Sequence, residues 1–222
     1  MSEEAEAYRK IYFDNIEALR RGEIEADAAL LGPASDDRVG ISLVVPLPSL
    51  APRYEELARA FREAEPGLYL YPPGDLHVTV FDFAAGRADY RPDAGLEVRI
   101  ERICARLAFS LAGLDIEFRG VVFGRAAGLI KGYADGRLGS VREALRAALA
   151  QEGIPNTERY PSQTAHATFC RFAGRPRDPE RLCRLAEAWG ETAIGAERPA
   201  AFLLVEHDWY NRAAGRRLIA EL

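Results

Sequence analysis

Histidine is scarce in this chain: three among 222 residues, beside three cysteines, two tryptophans and one methionine. The cysteines, Cys104, Cys170 and Cys183, are odd in number and have no CxxC spacing, which fits reduced thiols in a reducing compartment. A basic excess is missing too. The net charge of −5 argues against an extended basic surface gripping duplex nucleic acid, while leaving room for one local basic pocket that holds a phosphate. No apolar run approaches the ~20 residues of a membrane span, and the acidic start MSEEAEAY lacks the apolar segment of a secretion signal. The expectation is a cytoplasmic protein with no membrane contact. The hydrophobic share of 48% and the charged share of 28% are those of a globular chain able to bury a core without disulfides, as one large domain or two lobes.

Against this scarcity, the placement of the histidines stands out. In "DLHVTVFDF", residues 75–83, strand alternation puts His77 and Thr79 on one face and Val78 and Val80 on the other. In "TAHATFCRF", residues 164–172, the same alternation sets His166 and Thr168 against Ala167 and Phe169. With three histidines and five threonines in the chain, one His-x-Thr strand is an ordinary polar solvent face, but two require a common cause.

The surrounding pattern supplies one. Residues 3–22 read as an amphipathic helix with Tyr8, Ile11, Tyr12, Ile16 and Leu19 on one stripe, followed by a linker through Gly32, Pro33 and Gly40. A buried strand at 40–48 then leads to a helix opened by Pro52 with Tyr54, Leu57 and Phe61 inward, the His77 strand, a turn-rich stretch, a helix carrying Ile100, Ile103, Leu107 and Leu111, and the strand "LDIEFRGVVFG". The second half repeats this with the strand "AGLIKGY", a helix from a capping box at Ser140 and Glu143, the His166 strand, a helix opened by Asp178 and Pro179, and the strands "AAFLLVEHDWY" and "GRRLIAEL". Pro52 and Val141 each stand 25 residues before their histidine. The chain therefore reads as a strand-helix-strand-helix-strand unit used twice.

The duplicated unit, with "HVTV" in one half and "HATF" in the other, resembles the two-histidine (2H) phosphoesterase superfamily, which includes the 2'-5' RNA ligase-like proteins and cyclic nucleotide phosphodiesterases. The resemblance covers about residues 40–222 and leaves 1–39 as an N-terminal helical extension and linker. Arg171, five residues after the second histidine, matches the RNA ligase-like branch, whereas "FDF" stands where that branch has leucine and glycine. The resemblance implies a bilobed α+β fold in which two antiparallel sheets line a central cleft with the histidines facing each other. The lobes are expected at about 40–122 and 123–222, with strand exchange between them left open.

Such a pair suits the opening of a phosphodiester. One imidazole takes a proton from water while the other protonates the leaving ribose oxygen, and an unperturbed pKa near 6.5 allows either state. The hydroxyls of Thr79 and Thr168 can donate to the non-bridging phosphate oxygens. The expected activity is thus a metal-independent 2H-type phosphodiesterase, with catalytic His77 and His166 and substrate-binding Thr79 and Thr168, acting on a cyclic or 2'-5' phosphodiester of a small nucleotide or RNA end. No metal, cofactor, duplex nucleic acid or membrane partner enters, and the protein is expected to be a monomer. The alternative is a non-catalytic nucleotide- or phosphate-binding module that uses the same His/Thr pairs.

Four further residues need placing. Cys170 falls on the His166 face by simple alternation, as a pocket-lining or core thiol rather than a nucleophile. Arg171 points away from that face unless a bulge or the strand end turns it. His207 lacks a threonine partner and reads as a surface or loop-fixing histidine. Tyr69 and Tyr71 precede the first motif as packing aromatics.

Overall fold

The computed structural model describes residues 2–31, 37–88, 90–91, 93–158 and 161–222. The expected linker at Gly32 and Pro33 lies outside them, as do Asp89 and Pro92 of the turn-rich stretch. Along the described chain run α1 (Glu3–Arg20), β1 (Val39–Pro46), α2 (Ala51–Ala64), β2 (Leu68–Leu70), β3 (His77–Arg87), α3 (Ala94–Ala108), β4 (Ile116–Phe123), β5 (Ala127–Tyr133), α4 (Arg137–Gln151), β6 (Ala167–Phe172), α5 (Pro179–Ala188), β7 (Ala193–Glu197), β8 (Leu203–Asp208) and β9 (Arg217–Glu221).

Local chemistry explains most of the boundaries. The Ser2 side chain accepts the Ala5 N–H at the start of α1, and Asp178 accepts the Arg181 N–H at the start of α5, where Pro179 gives up no helical donor. Helix α2 buries Tyr54, Leu57 and Phe61, the stripe its periodicity predicts. Helix α4 begins earlier than a capping box at Ser140 predicts. Gly136, at φ 84°, turns the chain into the helix one residue before Arg137, and the Asp135 carboxylate accepts the Arg137 N–H, so Ser140 already lies inside the helix.

The strands form one open antiparallel sheet in the order β7-β4-β5-β6-β3-β1-β8-β9, with β2 paired to β6. Each duplicated unit lends its third strand to the other: β4 pairs with β5, while β8 pairs with β1. The two halves meet at β3 and β6, which share a single bridge, Val78 opposite Ala167. The helices bury an apolar core against the sheet, including an aromatic group in which Phe61 of α2 lies 5.0 Å from Phe169 and 5.7 Å from Phe123 between ring centroids.

One bridge is too little to fix two motif strands, and a side chain completes the join. Arg142 of α4 is 2% exposed. Its guanidinium donates to the carbonyls of Val80 (2.8 Å) and Thr79 (3.0 Å) on β3, and to Thr164 (2.9 Å) and Ser162 (3.4 Å) ahead of β6. A planar fork of five donors can span both strands at once; an ammonium cannot. Truncating Arg142→Leu strands these buried carbonyls, and we expect a loss of roughly 3 kcal/mol in denaturant unfolding, at the upper end for buried polar groups left unpaired. Arg142→Lys should recover less than half of it. A Leu variant as stable as the parent would show that the clip is dispensable.

Candidate active site

The bridge sets the register of the two motifs. With Val78 opposite Ala167, the antiparallel pairing places His77 against Thr168 and Thr79 against His166. Val78, Val80, Ala167 and Phe169 are buried, whereas His77, Thr79, His166 and Thr168 are all partly exposed. The four residues singled out by the sequence thus share one face across the join, with histidines and threonines on opposite diagonals.

Each imidazole is tied back through Nδ1. His77 Nδ1 lies 2.7 Å from the Asp75 carbonyl, an acceptor only, so the neutral ring holds its proton on Nδ1. Arg216 Nη2 stands 3.2 Å from the same nitrogen and spends its protons on the carbonyls of Asn211 and Asp75. His166 Nδ1 is 2.7 Å from the Thr164 hydroxyl. In both cases Nε2 is left for the open face.

Each motif strand then carries a bulge. On β3 the register shifts between Thr79 and Phe81, making Val80 the extra residue; on β6 it shifts between Thr168 and Cys170, making Phe169 the extra residue. Gly128 accommodates the second bulge, since a Cβ there would meet Cys170 Sγ and the Phe169 ring at 2.6 Å. Alternation inverts beyond each bulge. Cys170 therefore leaves the His166 face for the core, where it is 0% exposed and burial drives its thiol pKa upward, the opposite of a nucleophile. The residue turned to the site side is the one five positions after each histidine: Asp82 in the first motif and Arg171 in the second.

These two are chemically unlike. Arg171 Nε donates to the Tyr71 hydroxyl at 2.8 Å, and its guanidinium lies 5.8 Å from the Tyr210 ring and 5.9 Å from that of Trp209. Among the described residues no carboxylate forms an ion pair with it. Asp82 is closed off: its carboxyl lies 2.5 Å from Ser42 Oγ, which lies 2.6 Å from His207 Nε2. His207 is 9% exposed rather than a surface residue, and its Nδ1 donates to the Asp208 carbonyl at 2.6 Å. Burial raises the Asp82 pKa and lowers that of His207. The Ser42 hydroxyl donates to the Asp82 carboxyl and its oxygen faces His207 Nε2, so the three side chains form one closed chain anchored on the Asp208 carbonyl.

Burial also governs the motif histidines. His77 is pushed down to about 3, first by desolvation and then by the Arg216 guanidinium, with His207 and His166 adding to it. His166 is pushed down to about 4 by desolvation, then by Arg142 and Arg171. Among the described residues no group of three or more His, Cys, Asp or Glu side chains converges to hold a metal ion. A cavity of about 760 Å³ lies beneath α1, with Tyr8, Lys131 and Tyr133 in its wall but none of the four motif residues. Also among the described residues, no helix is long and apolar enough to cross a membrane.

No family model and no curated protein matches the chain. Solved structures do. TT0787 of Thermus thermophilus superposes with a TM-score of 0.57 at 21% identity, over 82% of this chain and 94% of that one. E. coli LigT complexed with 3'-AMP gives a TM-score of 0.55 at 15% identity, over 83% and 95%. A phosphoesterase gives 0.53 at 14% identity, over 85% and 96%. The chain shares its fold with these structures.

The depressed histidines make stability depend on pH. Folded, both stay neutral below 6.5, the value of the unfolded chain, so stability is complete above about pH 6.5 and is lost as pH falls toward about 4 and then about 3. His166→Gln should therefore flatten the decline of the melting temperature between pH 6.5 and 4. A decline as steep as in the parent would mean that His166 is not held neutral by the fold.

Proposed function

We propose that the protein is a metal-independent phosphodiesterase that cleaves a cyclic or 2'-5' phosphodiester of a nucleotide or RNA end by two-histidine acid–base catalysis. The observation that carries this reading is the diagonal His/Thr set across the Val78–Ala167 bridge, with both Nδ1 atoms tied back. Phosphorus held between the two Nε2 atoms has a base on one side and an acid on the other, as in-line displacement requires. Thr79 and Thr168 donate to the non-bridging oxygens, where charge grows in the transition state. Arg171, which no carboxylate among the described residues pairs, is the cation that binds the phosphate. A nucleotide-sized ligand accords with E. coli LigT having been crystallised with 3'-AMP, ATP and NADP+.

The surroundings of the two rings divide the labour. His77 has a guanidinium against its Nδ1 edge at 3.2 Å, which opposes an imidazolium and favours the neutral base. His166 has a hydroxyl there instead, which can accept the Nδ1 proton of a cationic ring. We assign His77 as base and His166 as acid.

Turnover by purified protein separates the enzyme from a binding module. We expect at least one member of a panel of 2',3'-cyclic nucleotides, RNA 2',3'-cyclic ends and 2'-5' oligonucleotides to be cleaved in a strong chelator. His77→Ala and His166→Ala should each abolish most turnover, and Thr79→Ala or Thr168→Ala should cost roughly a hundredfold, the scale of a lost oxyanion donor. A substrate with a good leaving group needs no acid, so it should rescue His166→Ala far more than His77→Ala. Tight binding with no turnover across the panel would establish the binding module, and activity restored only by added metal would overturn the mechanism.

A further inference from the structure

The cavity beneath α1 is roofed by the one helix that the family resemblance leaves out. It encloses about 760 Å³, inside the range of roughly 300–1,000 Å³ that holds a drug-sized molecule. Helix α1 contributes Tyr12, Phe13 and Ile16 to its wall, strands β4 and β5 contribute Val122, Phe123 and Tyr133, and the end of α5 with the turn after it closes the rest. Five of its nineteen lining residues are aromatic, in a chain where aromatic residues make up 9%. The Phe13 ring, 65% exposed, stands at its rim.

A lysine is set into these apolar walls. Lys131 of β5 is 8% exposed. Its stem crosses Gly120 of β4, where φ is 73° and a Cβ would meet Lys131 Cε at 2.6 Å, so the backbone there makes room for it. An ammonium has three N–H donors, and among the described residues Lys131 places one hydrogen bond, on Glu191 Oε1 at 2.6 Å. The Glu191 side chain is 71% exposed, and a carboxylate that solvent reaches offsets little of the cost of burying an ammonium. Two donors remain for an anion that enters. The other charges of the wall point the same way. Arg119 stacks on the Tyr133 ring with its guanidinium carbon 4.5 Å from the centroid, and among the described residues no ion pair joins it to a carboxylate. Glu187, by contrast, already accepts from the Tyr12 hydroxyl at 3.3 Å and from Arg20 at 3.1 Å.

We propose that this cavity binds a small aromatic anion, its carboxylate or phosphate on Lys131 with Arg119 at the rim, and its flat body among the rings of Tyr12, Phe13 and Tyr133. Ring walls favour a ring over an alkyl chain, because offset and edge-to-face contacts add to apolar burial. The assignment does not rest on the proposed phosphodiesterase activity, since no motif residue lines the cavity.

The test uses anilinonaphthalene sulfonate, a fluorescent aromatic anion, beside N-phenylnaphthylamine, the same body without the sulfonate, on the full chain at neutral pH. The parent should bind the anion saturably and at least about tenfold tighter than the neutral dye, the scale of a hydrogen bond to a charged group. Lys131→Met keeps the stem, so it should weaken the anion about tenfold while leaving the neutral dye within about twofold. Glu191→Gln removes the competing carboxylate and should tighten the anion, whereas a purely structural ion pair would make the two variants alike. Competition then names the head group: naphthoate and naphthyl phosphate should displace the dye, the better of the two identifying the natural head, and neutral naphthalenemethanol should not. Because the dye also fluoresces on loosened folds, the melting transition of each variant is recorded, and binding should raise it. His166→Ala should bind the anion as the parent does, which keeps failure of this site distinct from failure of the proposed reaction. Equal affinity for charged and neutral dyes in the parent, or an anion affinity untouched by Lys131→Met, would overturn the proposal. Displacement by dodecanoate better than by either aromatic anion would overturn the aromatic assignment.

Discussion

Everything at this site depends on how β3 and β6 are held, and only one bridging residue pair does so through the backbone. The remainder falls to Arg142, whose guanidinium bonds the carbonyls of Thr79 and Val80 on one side and of Ser162 and Thr164 on the other. A buried cation is costly unless its protons are matched, and here the match is with backbone carbonyls rather than a carboxylate. Burial accordingly lowers the Arg142 pKa to about 10, which still leaves it charged near neutrality. That charge faces His166 and helps hold it neutral. One side chain therefore sets both the separation of the motifs and part of their electrostatics, and neither can be altered without the other.

Duplication explains why two equivalent strands meet at this join; the bulges explain why the halves do not act alike. Both strands insert an extra residue just past the threonine and turn the fifth residue after histidine toward the site. In the first motif that residue is Asp82, whose carboxyl is closed into a chain with Ser42 and His207. In the second it is Arg171, whose contacts are the Tyr71 hydroxyl and the rings of Trp209 and Tyr210. A pair of arginines would bind phosphate from both sides, and a pair of carboxylates would repel it. One of each, with the carboxyl hydrogen-bonded by Ser42 and turned into that closed chain, leaves a single cationic side.

The His-x-Thr strands, the repeated unit and the apolar stripe of α2 were legible because each is a local periodicity, and burial follows period two or 3.6. Arg171 and Cys170 were not, because strict alternation holds only until a bulge, and a bulge is fixed by cross-strand packing such as that of Gly128 against Phe169 and Cys170. Arg142 sits between Val141 and Glu143 on a helix whose pattern marks it merely as a polar position, and nothing local shows that four carbonyls from two strands converge on it. His207 lacked any motif, since Ser42 is 165 residues away in sequence. The short strands β2 and β7 carried too few residues to show a period.

An apparent conflict remains between two histidines held neutral and the proposed reaction, which needs one of them protonated. The three guanidiniums that add to desolvation in depressing them, Arg216 beside His77 and Arg142 and Arg171 beside His166, also make the site electropositive. A phosphodiester carries a negative charge into that field. Its arrival offsets the repulsion between guanidinium and imidazolium, so the pKa of a ring in contact with it rises toward neutrality, and more readily for His166, whose Nδ1 meets a hydroxyl, than for His77, whose Nδ1 meets Arg216. On the proposed reading, ligand charge rather than bulk pH creates the acid. That requires His166 to keep Nε2 toward the phosphate and a proton acceptor behind Nδ1, the position in which the Thr164 hydroxyl stands.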